Sequence, residues 1–328
     1  MRRITAARPG QSTPQVSFFL AGHNVARYVE EALRSILAQT VADMEVLFLD
    51  DGSGDETLDM AMSIADPRLV VFRNEENRGI ARSLNSLMEL ARGEFWAHMD
   101  ADDISLPERV QRQIERMQAD RDICICGCAY RRFDHAEGVI TLPLDSEAIR
   151  AQTPFACSLP HPFVTFRGEF FRRNRIRYAE KLSCALDYEL WLRICVKYPE
   201  AHLANLEEPL GLYRCHTRQI STARHAEQIL SALRSQLQVF AALGIPRDCA
   251  LMKMHKVFSF SFPISGPDEM EDLFVWGRML QEANDAAKLF EPRLFNGQIL
   301  SRLIRAAEKN PRYAAVSAKH LKEWGPDS

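Results

Sequence analysis

The segment Asp100-Ala101-Asp102-Asp103 is the part of the chain best equipped for chemistry. It follows the apolar run 95–99 directly, so carboxylates gather where a strand should end, and their mutual repulsion costs stability unless a cation is bound. Oxygen ligands of this kind suit Mg2+ or Mn2+. The competing use is a helix cap: Asp103 stands just ahead of Ser105-Leu106-Pro107, where a helix is expected to begin, but capping leaves Asp100 and Asp102 unexplained. A second acidic turn, Asp50-Asp51-Gly52-Ser53, closes another apolar run. Ser53 lies three residues before Glu56, the spacing of a capping box, which predicts a helix immediately after this turn.

Those turns need strands to carry them. Apolar runs over 16–20, 45–49, 69–72 and 94–99 read as buried strands, with amphipathic helices over 28–37, after 56, over 79–91 and from about 107. This alternation predicts an α/β fold with a mostly parallel, Rossmann-like sheet covered by helices on both faces. Ligands in such sheets sit beyond the carboxyl ends of the strands, where three polar clusters fall: 21–24, 50–53 and 100–103. From about residue 122 the order changes to strands over 123–130 and 163–166 and a helix over 187–196, a mixed second half. Past 221 the chain reads as helical, with Ile229, Leu230, Leu233, Leu237 and Phe240 in phase. The expected division is a flexible tail over 1–15, a catalytic domain over 16–222 and a helical region over 223–328. That last region carries no catalytic constellation, so it either packs on the catalytic domain or serves homo-oligomer assembly or docking at a membrane surface.

With 46% hydrophobic and 26% charged residues in 328, the chain is globular rather than disordered or fibrous. A net charge of -3 offers no bulk attraction to nucleic acid or to an anionic membrane. No run approaches the roughly 18 apolar residues of a spanning helix, and the opening residues lack the apolar core of a signal peptide. A cytoplasmic location is expected, with peripheral contact at the inner face of the membrane. The eight cysteines lack the spacing of a disulfide scaffold and should stay reduced. Cys124, Cys126 and Cys128 alternate on one face of a strand, too close together for a zinc ribbon, and read as small core residues.

Several short pieces follow one another between residues 16 and 222. They are Val16-Ser17-Phe18-Phe19-Leu20 with Asn24, Ser35-Ile36-Leu37-Ala38-Gln39-Thr40, Asp50-Asp51-Gly52-Ser53-Gly54-Asp55, Asn77-Arg78-Gly79 with Leu84-Asn85, and Ala91-Arg92-Gly93-Glu94. After them come Asp100 to Asp103 with Pro107-Glu108-Arg109, His161-Pro162, Asp187-Tyr188-Glu189-Leu190-Trp191-Leu192-Arg193 and Tyr213-Arg214-Cys215-His216. The ordered set resembles the family 2 glycosyltransferases of GT-A fold, which transfer a sugar from a nucleotide diphosphate. The resemblance implies an inverting, metal-dependent enzyme using a UDP-linked sugar and a glycan or lipid-linked acceptor, in cell-surface polysaccharide synthesis.

By the same resemblance Asp187 is the catalytic base, able to take the proton of an acceptor hydroxyl, with N-capping of its helix as the alternative. Asp102 would hold the Mn2+ or Mg2+ that bridges the donor phosphates, and His216 would be a late metal or diphosphate contact. Asp51 would accept from the uracil edge with Asp50 beside it, turn capping being the other use of both. Asp100, with Ala101, would lie near the donor ribose. Arg82 would meet the diphosphate or else point to solvent, and Arg214 would pair with phosphate oxygens. Ala21, His23 and Asn24 complete the donor-nucleotide set, with the base stacking on the His23 ring or losing that contact, because Ala21-Gly22-His23-Asn24 replaces the usual Pro-x-Tyr-Asn. Leu186 before the base and His98 in place of a common Arg are further departures. Two rivals remain: a sugar-nucleotide nucleotidyltransferase, disfavoured because the 21–24 loop has one glycine, and a non-catalytic glycan-binding or scaffold protein of this fold.

Overall fold

A computed structural model of the protein describes residues 1–5, 13–217, 219, 224–322 and 324. Strands β2 (Val16–Gly22), β3 (Met44–Asp50), β4 (Leu69–Arg73) and β5 (Phe95–His98) are parallel and lie in the order β4-β3-β2-β5. Both β2 and β3 are buried along their whole length, which is why their sequences are apolar runs rather than alternations. Successive residues still feed opposite faces. Phe18, Leu20, Val46 and Phe48 join one core with α1 (Val29–Leu37) and α4 (Arg109–Ala119), while Phe19, Leu47 and Leu49 join the other with α3 (Ile80–Leu90).

Chain order runs outward from β2 to β3 and β4, then jumps to the other side of β2 for β5. Such a reversal opens a crevice at the strand ends. The second half of the sheet is mixed, as expected. β9 (Thr165–Arg167) is antiparallel to both β5 and β7 (Ile123–Asp134), and β10 (His202–Cys215) is parallel to β7 with register shifts near Pro209. β6 (Ile104–Ser105) pairs antiparallel with β10 and β8 (Gly138–Ile140) with β7. The cysteines of β7 are buried, and burial pushes the Cys128 thiol up to about 12.

Three expectations change. The first residues are not all tail: β1 (Arg2–Arg3) pairs antiparallel with β4, and Ile4 N donates to Val71 O, giving the exposed edge of β4 a partner for its backbone. The capping box does not form. The helix after the acidic turn is α2 (Thr57–Met62); Ser53 Oγ accepts from Asn24 N, and Asp55 Oδ1 takes Thr57 N and Oγ1 instead. Asp103 caps nothing either, because α4 starts only at Arg109 with Glu108 at its N-cap.

The C-terminal helices, His225–Ala242, Pro267–Ala287, Pro292–Lys309 and Ala314–Leu321, pack on the catalytic half rather than standing apart. Phe240, Phe274, Trp276 and Phe295 share one apolar cluster with Trp191 of α7 (Leu186–Lys197) and Trp96 of β5. Each such buried side chain contributes about 1.5–3 kcal/mol. Polar ties cross the same junction: Gln236 Nε2 donates to Pro154 O at 3.1 Å and Tyr188 Oη at 2.9 Å, and His255 Nε2 bonds Pro154 O at 2.9 Å. The expected boundary at 222 and 223 lies outside the described residues.

Candidate active site at the strand ends

The ends of β3, β2 and β5 are neighbours in the sheet, so the three polar clusters meet. Two glycines allow the close approach. Gly52 sits at φ +71°, and a Cβ there would lie 2.5 Å from the Glu76 carbonyl carbon; a Cβ on Gly22 would lie 2.6 Å from Val25 Cγ2. A side chain at Gly52 would therefore meet backbone, which cannot yield, in a conformation that disfavours it.

The first acidic turn is mostly supplied with donors, although Asp50 Oδ2 has no hydrogen bond. Asp51 accepts from Asn74 Nδ2 at 2.7 Å and from the backbone N–H of Arg78 and Gly79 at 3.0 Å each. Asp50 is fully buried, its Oδ1 accepting from Ser53 N at 3.0 Å and its Oδ2 3.4 Å from Arg73 Nε. Turn capping thus describes what both carboxylates do here, although Asp51, with about four acceptor positions, keeps one. His23 and Asn24 are exposed above this turn; His23 Nδ1 bonds Asp51 O at 3.0 Å and Asn24 Oδ1 accepts from Gly54 N at 2.9 Å. Ala21 is buried in the strand below.

The second cluster is the opposite. Asp100, Asp102 and Asp103 bring oxygens within 4.8 Å of one another. Burial and then the neighbouring carboxylates push the Asp103 carboxyl well up, despite Arg214 beside it. Burial and Asp100 raise Asp102 against the pull of His216, while burial and the Asp187 charge raise Asp100 against the pull of His161. Asp103 Oδ2 is buried without a hydrogen-bond partner, and His216 Nε2 lies 2.9 Å from Asp102 Oδ2. Repelling oxygens, an orphaned one among them, with an imidazole at the rim form a donor set that fits Mg2+ or Mn2+. Ala101 is buried between them.

Arg214 holds this loop rather than facing the crevice. Its backbone N donates to Asp103 Oδ1 at 2.8 Å and its Nε to Asp102 O at 2.8 Å, while the guanidinium pairs with Asp134 at 3.1 Å and Glu31 at 2.5 Å. The His216 ring stacks on Tyr28, centroids 4.9 Å apart. Fully buried Arg109 donates from both terminal nitrogens to His98 O at 3.1 Å, fixing the end of β5.

Behind Asp100 lies a buried imidazole pair. The rings of His98 and His161 are 4.2 Å apart, and His98 Nε2 is 3.3 Å from Asp100 Oδ1. His98 Nδ1 faces Phe19 O at 3.1 Å; a carbonyl only accepts, so Nδ1 carries the proton and Nε2 keeps its lone pair. Burial drives the His98 ring down to about 3, and burial with His98 drives His161 down to about 4. His98 therefore supplies a neutral ring where a charged Arg was expected. His161 Nε2 bonds Tyr178 Oη at 3.0 Å.

Asp187 is the second residue of α7, half-buried, and the N-cap position is held by Ala185 in the left-handed conformation, with no side-chain cap hydrogen bond. Capping is thus not its task. Its charge reaches Asp100, His161 and Tyr178, so it faces the carboxylate cluster, and Cys157 Sγ lies 3.9 Å from its Oδ2. Arg82 is drawn aside into an exposed ion pair with Glu180 at 3.2 Å. Reasoning from sequence assigned no role to Cys157, His161, Tyr178, Tyr28 or Glu31; only His161, through its motif, carried a signal.

Comparisons with known proteins agree on the family. The family model for Glycosyl transferase family 2 matches residues 17–176, a stretch holding both acidic turns and His161, with Asp187, Arg214 and His216 beyond it. EpsE of Bacillus subtilis, named for a glycosyltransferase, is 31% identical over 190 residues, 56% of this chain and 67% of that protein. Escherichia coli WfaP, a UDP-Glc:alpha-D-GlcNAc-diphosphoundecaprenol beta-1,3-glucosyltransferase, is 27% identical over 233 residues, 70% of this chain and 87% of its own. The mannosyltransferase PcManGT of Pyrobaculum calidifontis, solved with GDP-Man and Mn2+, superposes with a TM-score of 0.56 at 18% identity, covering 91% of this chain and 87% of that one. The fold is GT-A, and the chain is a glycosyltransferase that belongs to glycosyl transferase family 2.

Proposed function

We propose that the protein transfers a sugar, with inversion, from a UDP donor to a hydroxyl of a lipid-linked or polysaccharide acceptor in surface-glycan synthesis. The observation that carries this reading is the placing of Asp187 opposite the Asp100, Asp102 and Asp103 cluster at the sheet's reversal point. The UDP donor and lipid-linked acceptor are supported by the WfaP name, and the metal by the Mn2+ in the PcManGT structure. Asp102, Asp103 and His216 would hold the metal, with Asp100 beside them. When bound there, a divalent ion would neutralise the diphosphate and favour its departure.

The chain's own residues do the rest. Asp51, with its remaining acceptor position, and the exposed His23 ring receive the nucleobase. Arg82 turns to the diphosphate at little expense, since an exposed ion pair is worth at most about 1 kcal/mol. Asp187 takes the acceptor proton as the hydroxyl oxygen bonds to the anomeric carbon, and the carbon–oxygen bond to the diphosphate breaks with its electron pair on the leaving group. The peripheral membrane location follows from the acceptor; among the described residues no helix is long and apolar enough to cross a membrane.

The test is a panel of nucleotide sugars with the purified chain, Mn2+ or chelator, and a diphospholipid-linked acceptor. Release of UDP that chelator stops, with the anomeric configuration inverted by NMR, is expected. Retained configuration, metal-independent turnover or release of pyrophosphate would each overturn the reading.

A further inference from the structure

A cavity of about 210 Å3 opens far along the chain from the strand ends, between the helix Pro292–Lys309 and the segment that follows the short helix His255–Phe260. Phe258 and the partly exposed Phe262 form one wall, and Arg302, Arg305 and Lys309 stand on the other. Spacings of three and four along the helix put these cations on one face, and Lys256 Nζ adds a fourth at 5.7 Å from the Phe262 ring.

Of these four cations, Lys256 lies within reach of the Glu269 charge. Among the described residues, neither Arg302, Arg305 nor Lys309 forms an ion pair. Arg302 spends Nη1 on Gln298, at 3.0 Å to its carbonyl and 2.6 Å to its Oε1, and lies 4.6 Å over the Phe155 ring. Its Nε is buried with no hydrogen-bond partner. Crowding like charges against an apolar wall costs free energy that an anion would return.

We infer that this cavity holds the phosphate headgroup of an anionic lipid, docking the protein on a membrane surface. Arginine forks suit phosphate oxygens, the aromatic wall suits the acyl–glycerol side of the same molecule, and basic clusters of this kind gain from the potential of an anionic leaflet. Nucleic acid is a poor occupant, since the positive wall is short and faces aromatic side chains in a cavity too small for a duplex. The site complements a lipid-linked acceptor, but its test reads membrane binding rather than transfer, so either can fail without the other.

The experiment is flotation of the full-length protein with vesicles of phosphatidylcholine alone or with about 30% phosphatidylglycerol. Arg305→Glu with Lys309→Glu alters exposed residues only; Arg116→Glu with Arg121→Glu makes the same charge change on exposed residues elsewhere. Partition onto anionic vesicles should fall at least about tenfold for the first pair, and little for the second, with unfolding midpoints unchanged. Equal losses in both pairs, or no preference of the wild type for anionic vesicles, would overturn the site. In a second arm, inorganic phosphate that stabilises the wild type but not the first variant, without vesicle binding, would assign the cavity to a soluble phosphate and overturn the lipid.

Discussion

Two acidic turns close the strands on either side of β2, and they differ in what meets their carboxylates. At the end of β3, Asp51 and Asp50 have their charges met by protein donors, among them two backbone N–H groups, an asparagine and an arginine. At the end of β5, burial raises all three carboxyl groups, Asp100 adds to the rise of Asp102 and Asp103, and the unbonded Asp103 Oδ2 lacks the guanidinium that Arg73 sets 3.4 Å from the equally unbonded Asp50 Oδ2. A saturated carboxylate is part of the scaffold; an undersupplied one is a socket. Residue type and position at a strand end are the same in both, so the difference lies wholly in what tertiary structure sends to meet them.

If that contrast is right, the undersupplied side should govern chemistry and the saturated side folding. Asp187→Asn, facing the socket, should lower transfer by about two to four orders of magnitude while leaving the unfolding midpoint in place, because Asp187 is not at the N-cap and no side chain caps the helix; a variant keeping more than a tenth of turnover would remove Asp187 from the base role. Asp102→Ala should weaken Mn2+-dependent UDP binding more than about a hundredfold, beyond the 10–100-fold typical of groups one shell out, with metal-free stability equal or higher. Calorimetric titration with and without chelator checks it. Asp51→Ala should differ by costing stability, about 1–3 kcal/mol as the buried Asn74 amide loses an acceptor, read from denaturant midpoints, besides removing the nucleobase contact. Were the two alanine variants to behave alike, the contrast would collapse.

The smallest effect is on pH dependence. Asp103 has its folded-state pKa raised, so in metal-free protein its ionised form costs stability above that pKa, and the cost fades as pH falls toward the unfolded value. Asp103→Asn should therefore raise the midpoint at pH 8 by about 2–4 °C, the change that about 1 kcal/mol brings in a chain of this size. The gain should shrink on acidification and be cancelled by saturating Mn2+ in the wild type. A constant gain at all pH values would mean that repulsion is not its source.

Much of this was legible beforehand. Buried parallel strands announce themselves as apolar runs, so β2 to β5 and the clusters at their ends stood out. β10 did not: Glu207, Glu208 and Pro209 interrupt its apolar character, and the strand tolerates them only through the register shifts around Pro209. The fate of each polar side chain was likewise hidden, because Ser53 could cap a helix by spacing yet meets Asn24 across 29 positions. Arg214 looked free for phosphate until Glu31, Asp134 and the Asp102 carbonyl converged on it from other elements.

The shared core between the catalytic half and the C-terminal helices bears on how such enzymes can be recombined. Pro154 O, just before the stretch that carries Cys157 to the base, takes bonds from both Gln236 and His255, and Phe155 lies under Arg302. A hybrid that grafts a foreign tail after the end of β10 would strip these contacts from behind Asp187 and expose Trp191 and Tyr188. Trading whole modules in this scaffold therefore disturbs the support of Asp187 together with the tail.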